Sequence, residues 1–159
     1  MGNVMSRELI LKDYIEMMRS RYDYIIIDCM PSLGIMTINS LGASDSVIIP
    51  VQAAYLPVKG LEQLIKTIHM VKKRLNRNLM IDGILLTMVD FRTNYAKDIA
   101  LKLRETYGTK IKIFDNVIPL SVKAAETSAE GISIYSHSPK SKVCNAYSNL
   151  TQEVLSNEK

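Results

Sequence analysis

The sequence predicts an α/β fold in which a parallel sheet carries helices on both faces. Two observations support this prediction. Short apolar runs rich in β-branched residues alternate along the chain with longer segments whose apolar residues recur at helical spacing. Strands that alternate with helices imply right-handed crossovers, and therefore parallel strands covered by helices. The length of 159 residues suits one globular domain and is too short for two, so we expect a single domain over residues 1–159.

The first half of the chain is predicted to contain three helices and two strands. An apolar stripe at helical spacing, with charges between its members, predicts an amphipathic helix over 7–20. The apolar β-branched run 24–28 is typical of a strand that is covered on both faces. A short helix over 33–43, a second buried strand over 46–51 and a long amphipathic helix over 59–75 follow.

The second half is predicted to continue the same alternation: strand 83–90, helix 95–107, strand 111–119 and helix 142–155. Gly108 is a typical C-terminal stop for the first of these helices. We expect the polar connection before the last helix to hold a short helix and a brief strand at 132–135.

Composition excludes several classes of protein. No run approaches the roughly 20 apolar residues of a membrane span, and the first residues lack the pattern of a secretory signal, so we expect a cytoplasmic protein that does not engage a membrane. The two cysteines, Cys29 and Cys144, have no C-x-x-C spacing and predict neither a disulfide framework nor a zinc site. A net charge of +4 permits weak attraction to nucleic acid.

Two of the predicted strands end in an aspartate, Asp28 and Asp90, and a third ends in Pro119. Ligands of open parallel sheets bind at the carboxyl ends of the strands. A carboxylate there can hold Mg²⁺ together with water and phosphate oxygens, and Gly34 would let the backbone bend close to a phosphate. The local pattern fits equally well an ordinary acid that caps the following helix.

Three stretches, taken in order, carry a resemblance: YDYIIIDCMPSLGIMTINSLGASDSVIIPVQAAYLPVKGLEQL, then LLTMVDFRTN, then VIPLSVKAAETSAEGISI. Together they resemble the ParA/Soj family of chromosome and plasmid partitioning ATPases, within the MinD/ParA-type P-loop NTPases, from about residue 22 onward. The first stretch resembles the Walker B strand and the switch loop after it, although Met30 stands where the family usually has Pro.

The resemblance implies a role for each matching residue. Asp28 would be the Walker B aspartate that orients water on Mg²⁺, and Pro31, Ser32 and Gly34 would form the loop that senses the γ-phosphate. Five residues would border the adenine: Thr87, Met88, Asp90, Ile118 and Pro119. For the apolar pair among them, Met88 and Ile118, core packing is the better interpretation.

The same resemblance implies partners. Family members bind ATP and Mg²⁺, dimerise when ATP is bound, bind DNA without sequence specificity on the nucleoid and work with a ParB-like partner. Arg92 and Lys123 lie where basic residues of the family contribute to DNA binding. Leu120 stands where related sequences often carry Arg, which weakens the expectation of DNA contact.

The sequence departs from the family at the phosphate cradle. None of its seven glycines is followed by Lys, so G-x-x-x-x-G-K-[ST] does not occur. We therefore expect the chain to be the C-terminal part of a ParA-type ATPase, without the P-loop strand. We expect this chain alone to bind no cofactor tightly and to hydrolyse no ATP. Strands left without neighbours predict self-association through the edge beside residues 24–28.

Two alternatives remain. Receiver domains of response regulators also show a strand that ends in Asp, followed by Met-Pro and Gly, and would make Asp28 a phosphoacceptor. They need an acidic pair on an earlier strand and a later Lys-Pro, neither of which this sequence contains. The second alternative is a non-catalytic interaction module derived from a partitioning ATPase.

Overall fold

The computed structural model of the chain describes residues 7–30, 32–53 and 55–157. This part of the chain holds seven helices and two strands: α1 (Ile10–Met18), α2 (Ile35–Ala43), β1 (Ser46–Gln52), α3 (Tyr55–Arg74), β2 (Met80–Thr87), α4 (Asn94–Tyr107), α5 (Val122–Glu130), α6 (Ile134–His137) and α7 (Lys142–Asn157). The order confirms the α/β class. None of the described helices combines the length and apolar character that a membrane crossing requires.

β1 and β2 are neighbours in a parallel sheet. The register is marked at both ends, because the Met80 N–H donates to the Asp45 carbonyl at 3.0 Å and the Ala53 N–H donates to the Thr87 carbonyl at 3.4 Å. The predicted strands 46–51 and 83–90 correspond to these two, but β2 begins and ends earlier than predicted. It ends where Met88 adopts a left-handed conformation with φ of 52°, which a strand cannot continue through.

The predicted strand 111–119 forms only in part. Its two ends pair with the β2 side of the sheet through parallel bridges, Ile84 with Ile113 and Val89 with Pro119. Between them, the backbone N–H groups of Asp115 and Asn116 donate to the Glu153 carboxylate of α7, each at 3.0 Å. The continuous strand was wrong because this carboxylate takes donors that a ladder would otherwise use.

The prediction of a buried strand at 24–28 was also wrong. Within the described residues the sheet order is β1–β2, and residues 24–28 have no regular secondary structure. Its side chains are mostly exposed, with Ile26 at 92%. An apolar run becomes a buried strand only where neighbouring strands and covering helices are available, and the described residues do not provide them to this run.

The brief strand predicted at 132–135 is a helix instead. The Ser133 hydroxyl accepts from the Tyr135 N–H at 3.3 Å and so begins the single turn of α6. The short helix expected in the same connection is α5. The other predicted helices are observed with shifted ends. α1 is shorter than predicted, and α3 starts earlier.

The described residues form two compact units. Unit 1 comprises residues 7–47 and 62–80, and two asparagines join its elements. In the Asn39 side chain, Nδ2 donates to the Arg7 carbonyl at 2.8 Å and Oδ1 accepts from the Leu11 N–H at 3.5 Å, which ties the start of α1 to α2. Asn76 Nδ2 donates to the Ser44 carbonyl at 2.6 Å beyond the end of α2. Buried polar bonds of this kind fix a unique packing.

Unit 2 comprises residues 48–61 and 81–157. Leu85 of β2, Val143 of α7, and Phe114 and Ile118 of segment 112–120 form a buried cluster. Gly83 allows the close approach within this cluster, since a Cβ there would lie 2.9 Å from both the Lys112 carbonyl oxygen and the Phe114 ring. The cluster therefore anchors β2 beside segment 112–120.

Candidate functional site

The residues predicted to be functional fall in both units, and Pro31 lies outside the described residues. Unit 1 contains Asp28, Ser32 and Gly34. Unit 2 contains the predicted adenine border and the predicted DNA contacts: Thr87, Met88, Asp90, Arg92, Ile118, Pro119 and Lys123. Each group is described by itself.

In unit 1 the predicted switch loop is attached to the start of α2. Gly34 is the N-cap residue of α2, so the loop leads directly into the first helical turn. The Ser32 N–H donates to the Met30 carbonyl at 2.7 Å, and the buried Thr37 hydroxyl donates to the Ser32 carbonyl. The N–H groups of a first helical turn favour an anion such as phosphate. Backbone groups thus hold Ser32 beside α2, and the side chains of Ser32 and Leu33 are exposed.

Asp28 is exposed, in a run without regular secondary structure before this loop. In the described part of the chain, no group of three or more His, Cys, Asp or Glu side chains is arranged to hold a metal ion. A single exposed carboxylate still suits Mg²⁺, because this ion keeps several waters and takes its other ligands from phosphates. Asp28 can therefore supply one oxygen ligand to a magnesium–phosphate complex, directly or through water.

In unit 2 the residues that follow β2 run beside the end of the predicted strand 111–119. After the left-handed turn at Met88, the Val89 N–H donates to the Ile118 carbonyl and the Leu120 N–H donates to the Val89 carbonyl, both at 3.1 Å. This pairing brings the predicted residues Asp90 and Pro119 to a common pocket of about 360 Å³. Apolar side chains contribute most of its wall: Val89, Phe91, Pro119, Leu120 and Val122.

Asp90 and Arg92, which were predicted for different roles, are bound to each other. The Asp90 Oδ1 accepts from the Arg92 backbone N–H at 3.1 Å and from Nε at 2.8 Å, and Oδ2 accepts from Nη2 at 2.8 Å. The side-chain bond, the backbone bond and the charge of Arg92 lower the pKa of Asp90 to about 2. The hydrogen bonds that the Arg92 side chain donates to the Asp90 carboxylate, and the negative charge of that carboxylate, raise the pKa of Arg92. The pair is therefore fully ionised at neutral pH.

The Asp90 backbone carbonyl holds the same turn alongside the carboxylate. The Asp90 carbonyl accepts from the Thr93 N–H at 3.1 Å and from its hydroxyl at 3.0 Å. That hydroxyl accepts in turn from the Ala96 N–H and caps α4. The Asp90–Arg92 pair was not predicted from the sequence, although an acid and a base two residues apart between a strand and a helix were a signal for it.

The other predicted residues of unit 2 have separate surroundings. Ile118 belongs to the buried cluster, which confirms the packing interpretation for this residue. Met88 is 56% exposed, so the packing interpretation was wrong for Met88. Lys123, in α5, donates from Nζ to the neutral Ser138 hydroxyl at 3.0 Å. Its charge is therefore not balanced by this bond, unlike the charge of Arg92.

A second pocket, of about 410 Å³, lies among α5, α6 and α7. Hydroxyl groups contribute to its wall, but two of them are already used within their helices. Thr127 donates to the Ala124 carbonyl at 2.7 Å, and Thr151 donates to the Tyr147 carbonyl at 2.9 Å. Donors used in this way are not available to a ligand, so the pocket is a weaker candidate for a site than the exit of β2.

Comparison with known proteins gives three kinds of match. A family model described as an AAA domain matches residues 1–81. The sporulation initiation inhibitor protein Soj of Bacillus subtilis is 45% identical over 152 residues, which are 96% of this chain and 59% of that protein. The chromosome partitioning protein ParA of Myxococcus xanthus is 42% identical over 150 residues, covering 94% of this chain and 52% of that protein.

Among solved structures, cobyrinic acid a,c-diamide synthase from Mycobacterium smegmatis, with bound ATP analog and magnesium, superposes with a TM-score of 0.82 at 30% identity. The match covers 98% of this chain and 56% of that structure. The chain therefore spans between half and three fifths of the length of each of these three relatives.

Proposed function

This chain belongs to the AAA domain family, as part of a ParA/Soj-type partitioning ATPase, and from that premise we propose that it carries the Walker B and adenine-border half of the nucleotide site. One observation supports this most directly: parallel pairing at the exit of β2 brings Asp90 and Pro119 to one pocket, at the edge of the sheet where such folds bind ligands. A relative of the same fold holds an ATP analog and magnesium.

The roles within the nucleotide site follow from the residue types. Asp28 orients water on Mg²⁺, which neutralises phosphate charge when it is bound. Pro31, Ser32 and Gly34 form the loop that responds to the γ-phosphate. Beyond the strand ends, Thr87, Met88, Asp90 and Pro119 border the adenine, while Ile118 supports them from the core.

This half-site does not suffice for catalysis. A P-loop supplies the amides and the lysine that provide most of the positive field around the phosphates, and the sequence contains no Gly-Lys pair to build one. The chain alone therefore binds neither ATP nor Mg²⁺ tightly and does not hydrolyse ATP. Joined to a P-loop segment, it takes part in ATP-dependent dimerisation.

The proposed action of the whole protein is DNA segregation. Arg92 and Lys123 supply positive charge for DNA binding that does not depend on sequence, because contacts to phosphates carry no sequence information. The protein then works on the nucleoid, in the cytoplasm, with a ParB-like partner. The exposed apolar run 24–28 favours self-association of the isolated chain.

The test compares this chain with a version preceded by the P-loop segment of the Bacillus subtilis relative. DNA binding is titrated by fluorescence anisotropy, with and without ATP and Mg²⁺. We expect ATP to strengthen DNA binding by the extended version and to leave this chain unchanged. Asp28→Asn in the extended version removes the ATP effect. If ATP had no effect on the extended version, or if Asp28→Asn left the effect intact, the proposal would be wrong.

The receiver alternative has no support from these findings, since the chain belongs to a different family. The interaction module remains a second candidate, and the exposed side chains of Ile26, Met30 and Met36 favour it. A module would co-purify with a separate polypeptide that carries a P-loop. Failure of the chain to bind such a polypeptide, supplied in excess, would remove this candidate.

A further inference from the structure

The two cations proposed to bind DNA differ in what already holds them. Arg92 gives its backbone N–H, Nε and Nη2 to the Asp90 carboxylate at 2.8–3.1 Å, although 85% of its side chain is exposed. The carboxylate is better shielded, with 26% of the Asp90 side chain exposed. Lys123 meets only a neutral hydroxyl in its hydrogen bond with Ser138. A carboxylate thus neutralises the charge of Arg92, whereas the Ser138 hydroxyl brings no negative charge to Lys123.

The Asp90–Arg92 bond also occupies the groups that would recognise a phosphate. Arginine binds carboxylates and phosphates with the same planar fork of N–H groups. Nε and Nη2 both point at Asp90. Nε and Nη2 cannot donate to a phosphate while they donate to Asp90, so the carboxylate and a nucleic-acid phosphate compete for these two groups.

We propose that Asp90 is a latch that withholds Arg92 from nucleic-acid phosphates, and that Arg92 binds DNA only when this latch opens. The inference rests on the proposed function, because it takes Arg92 to be a DNA contact. It adds a regulatory role for Asp90 and a reason for the chain in its present conformation to bind DNA weakly.

The latch can be opened without disturbing the fold around it. The Asp90 carbonyl accepts from the Thr93 N–H and hydroxyl, and in Asp90→Asn the amide oxygen can still accept from the Arg92 backbone N–H. The substitution therefore keeps the bonds of the turn while it removes the charge. Asp98→Asn is the matched control. Asp98 is an exposed aspartate of α4, so its replacement changes the net charge equally without touching the fork.

The experiment titrates duplex DNA with the nucleotide-free chain at several salt concentrations. Exposed ion pairs are weak, so we expect a moderate effect: Asp90→Asn strengthens binding about 3- to 10-fold over the wild type. One additional phosphate contact makes the slope of log K against log salt steeper by about 0.9. Asp98→Asn gives a smaller gain with an unchanged slope. The double variant Asp90→Asn/Arg92→Ala loses the gain.

A second variant tests the latch without altering Asp90. Arg92→Ala removes the fork, and an arginine that the latch withholds makes no phosphate contact, so we expect the slope of log K against log salt to stay as in the wild type. A shallower slope for Arg92→Ala would contradict the latch.

The two ways of failing are distinguishable. If wild-type binding depends on Arg92 but Asp90→Asn matches Asp98→Asn, the latch is wrong and the proposed function stands. If no variant binds DNA, with Arg92 freed or not, both the latch and the DNA-binding role of Arg92 are wrong for this chain.

Discussion

Two apolar runs of this chain end in an aspartate, and their surroundings are very different. β2 lies beside β1 on one side and segment 112–120 on the other, and Ile84 at its centre is 0% exposed. The run that leads to Asp28 carries equally apolar side chains, yet Ile26 is 92% exposed. The residue types are alike, so the difference lies in the neighbours. An apolar β-branched run is stabilised by burial, but it is buried only where other segments of the chain cover it.

The consequence for function is that the two halves of the proposed site are unequal. In unit 2 the backbone pairs Val89 with Pro119 and thereby sets the positions of Asp90 and Pro119 at one pocket. In unit 1 the switch loop is attached to α2, but the run before it has no place in the described sheet. The backbone thus sets Asp90 and Pro119 at one pocket, while the run before Asp28 is not a strand of the sheet that the described residues form.

The largest expected effect is that of Ile84→Ala in β2. Removing a fully buried isoleucine side chain loses its transfer free energy and leaves a cavity, which costs about 2–5 kcal/mol. We expect the free energy of unfolding, measured by urea denaturation, to fall by this amount. A loss below about 1 kcal/mol would mean that the pairing of β2 with segment 112–120 does not bury Ile84 in solution.

An intermediate effect is expected for Glu153→Gln, because the Glu153 carboxylate binds the backbone where the predicted strand 111–119 is interrupted. Its carboxylate accepts from two backbone N–H groups, at Asp115 and Asn116, and from the Asn116 side chain, and it pairs with Lys112 at 3.3 Å. Losing charge-assisted bonds of this kind costs about 1–3 kcal/mol. Urea denaturation at pH 7 measures this loss. The control is Glu105→Gln, at an exposed position of α4, which should change the free energy of unfolding little.

The same residue predicts a pH dependence. Burial opposes ionisation of Glu153, but the backbone bonds from Asn116 and Asp115, with the side chains of Asn116 and Lys112, outweigh it and lower its pKa below the ordinary 4.5. A lowered pKa in the folded state stabilises the fold above pH 4.5, and this contribution is lost as the pH falls through the folded value. Glu153→Gln should therefore flatten the loss of stability below pH 4.5. An unchanged pH profile would show that the carboxylate is not held in this way.

The smallest effect is expected for Ile26→Ala, the same substitution in the exposed run. Surface substitutions away from special features change stability by less than about 0.5 kcal/mol. The measurement is made at a protein concentration where light scattering shows a monomer, because self-association would cover the run. A loss comparable to that of Ile84→Ala would contradict the difference between the two runs.

Helices were the most predictable part of the fold, because their signal is contained in one segment. The apolar face of α4 and the stop at Gly108 gave the range 95–107 against the observed Asn94–Tyr107. The last helix was predicted at 142–155 and is observed as Lys142–Asn157. A periodic stripe of this kind needs only one apolar surface to pack on, whichever element supplies it.

The strands were less predictable, because their state depends on distant residues. No residue near Asp115 in the sequence indicates that its N–H donates to the Glu153 carboxylate, 38 residues later. The left-handed conformation of Met88, which ends β2, is uncommon for a residue other than glycine and has no local signal. At the candidate site, the resemblance identified Asp90 and Arg92, but their fork depends on side-chain geometry within a turn.

Isothermal titration of the purified chain with ATP in the presence of Mg²⁺ is the most direct test of the proposed half-site. The chain brings Asp90 and Pro119, the proposed adenine border, to one pocket, but its sequence contains no P-loop whose amides and lysine would bind the phosphates. We therefore expect heats without saturation up to millimolar ATP, and no difference when Mg²⁺ is withdrawn. Saturable binding at micromolar ATP that requires Mg²⁺ would contradict this expectation.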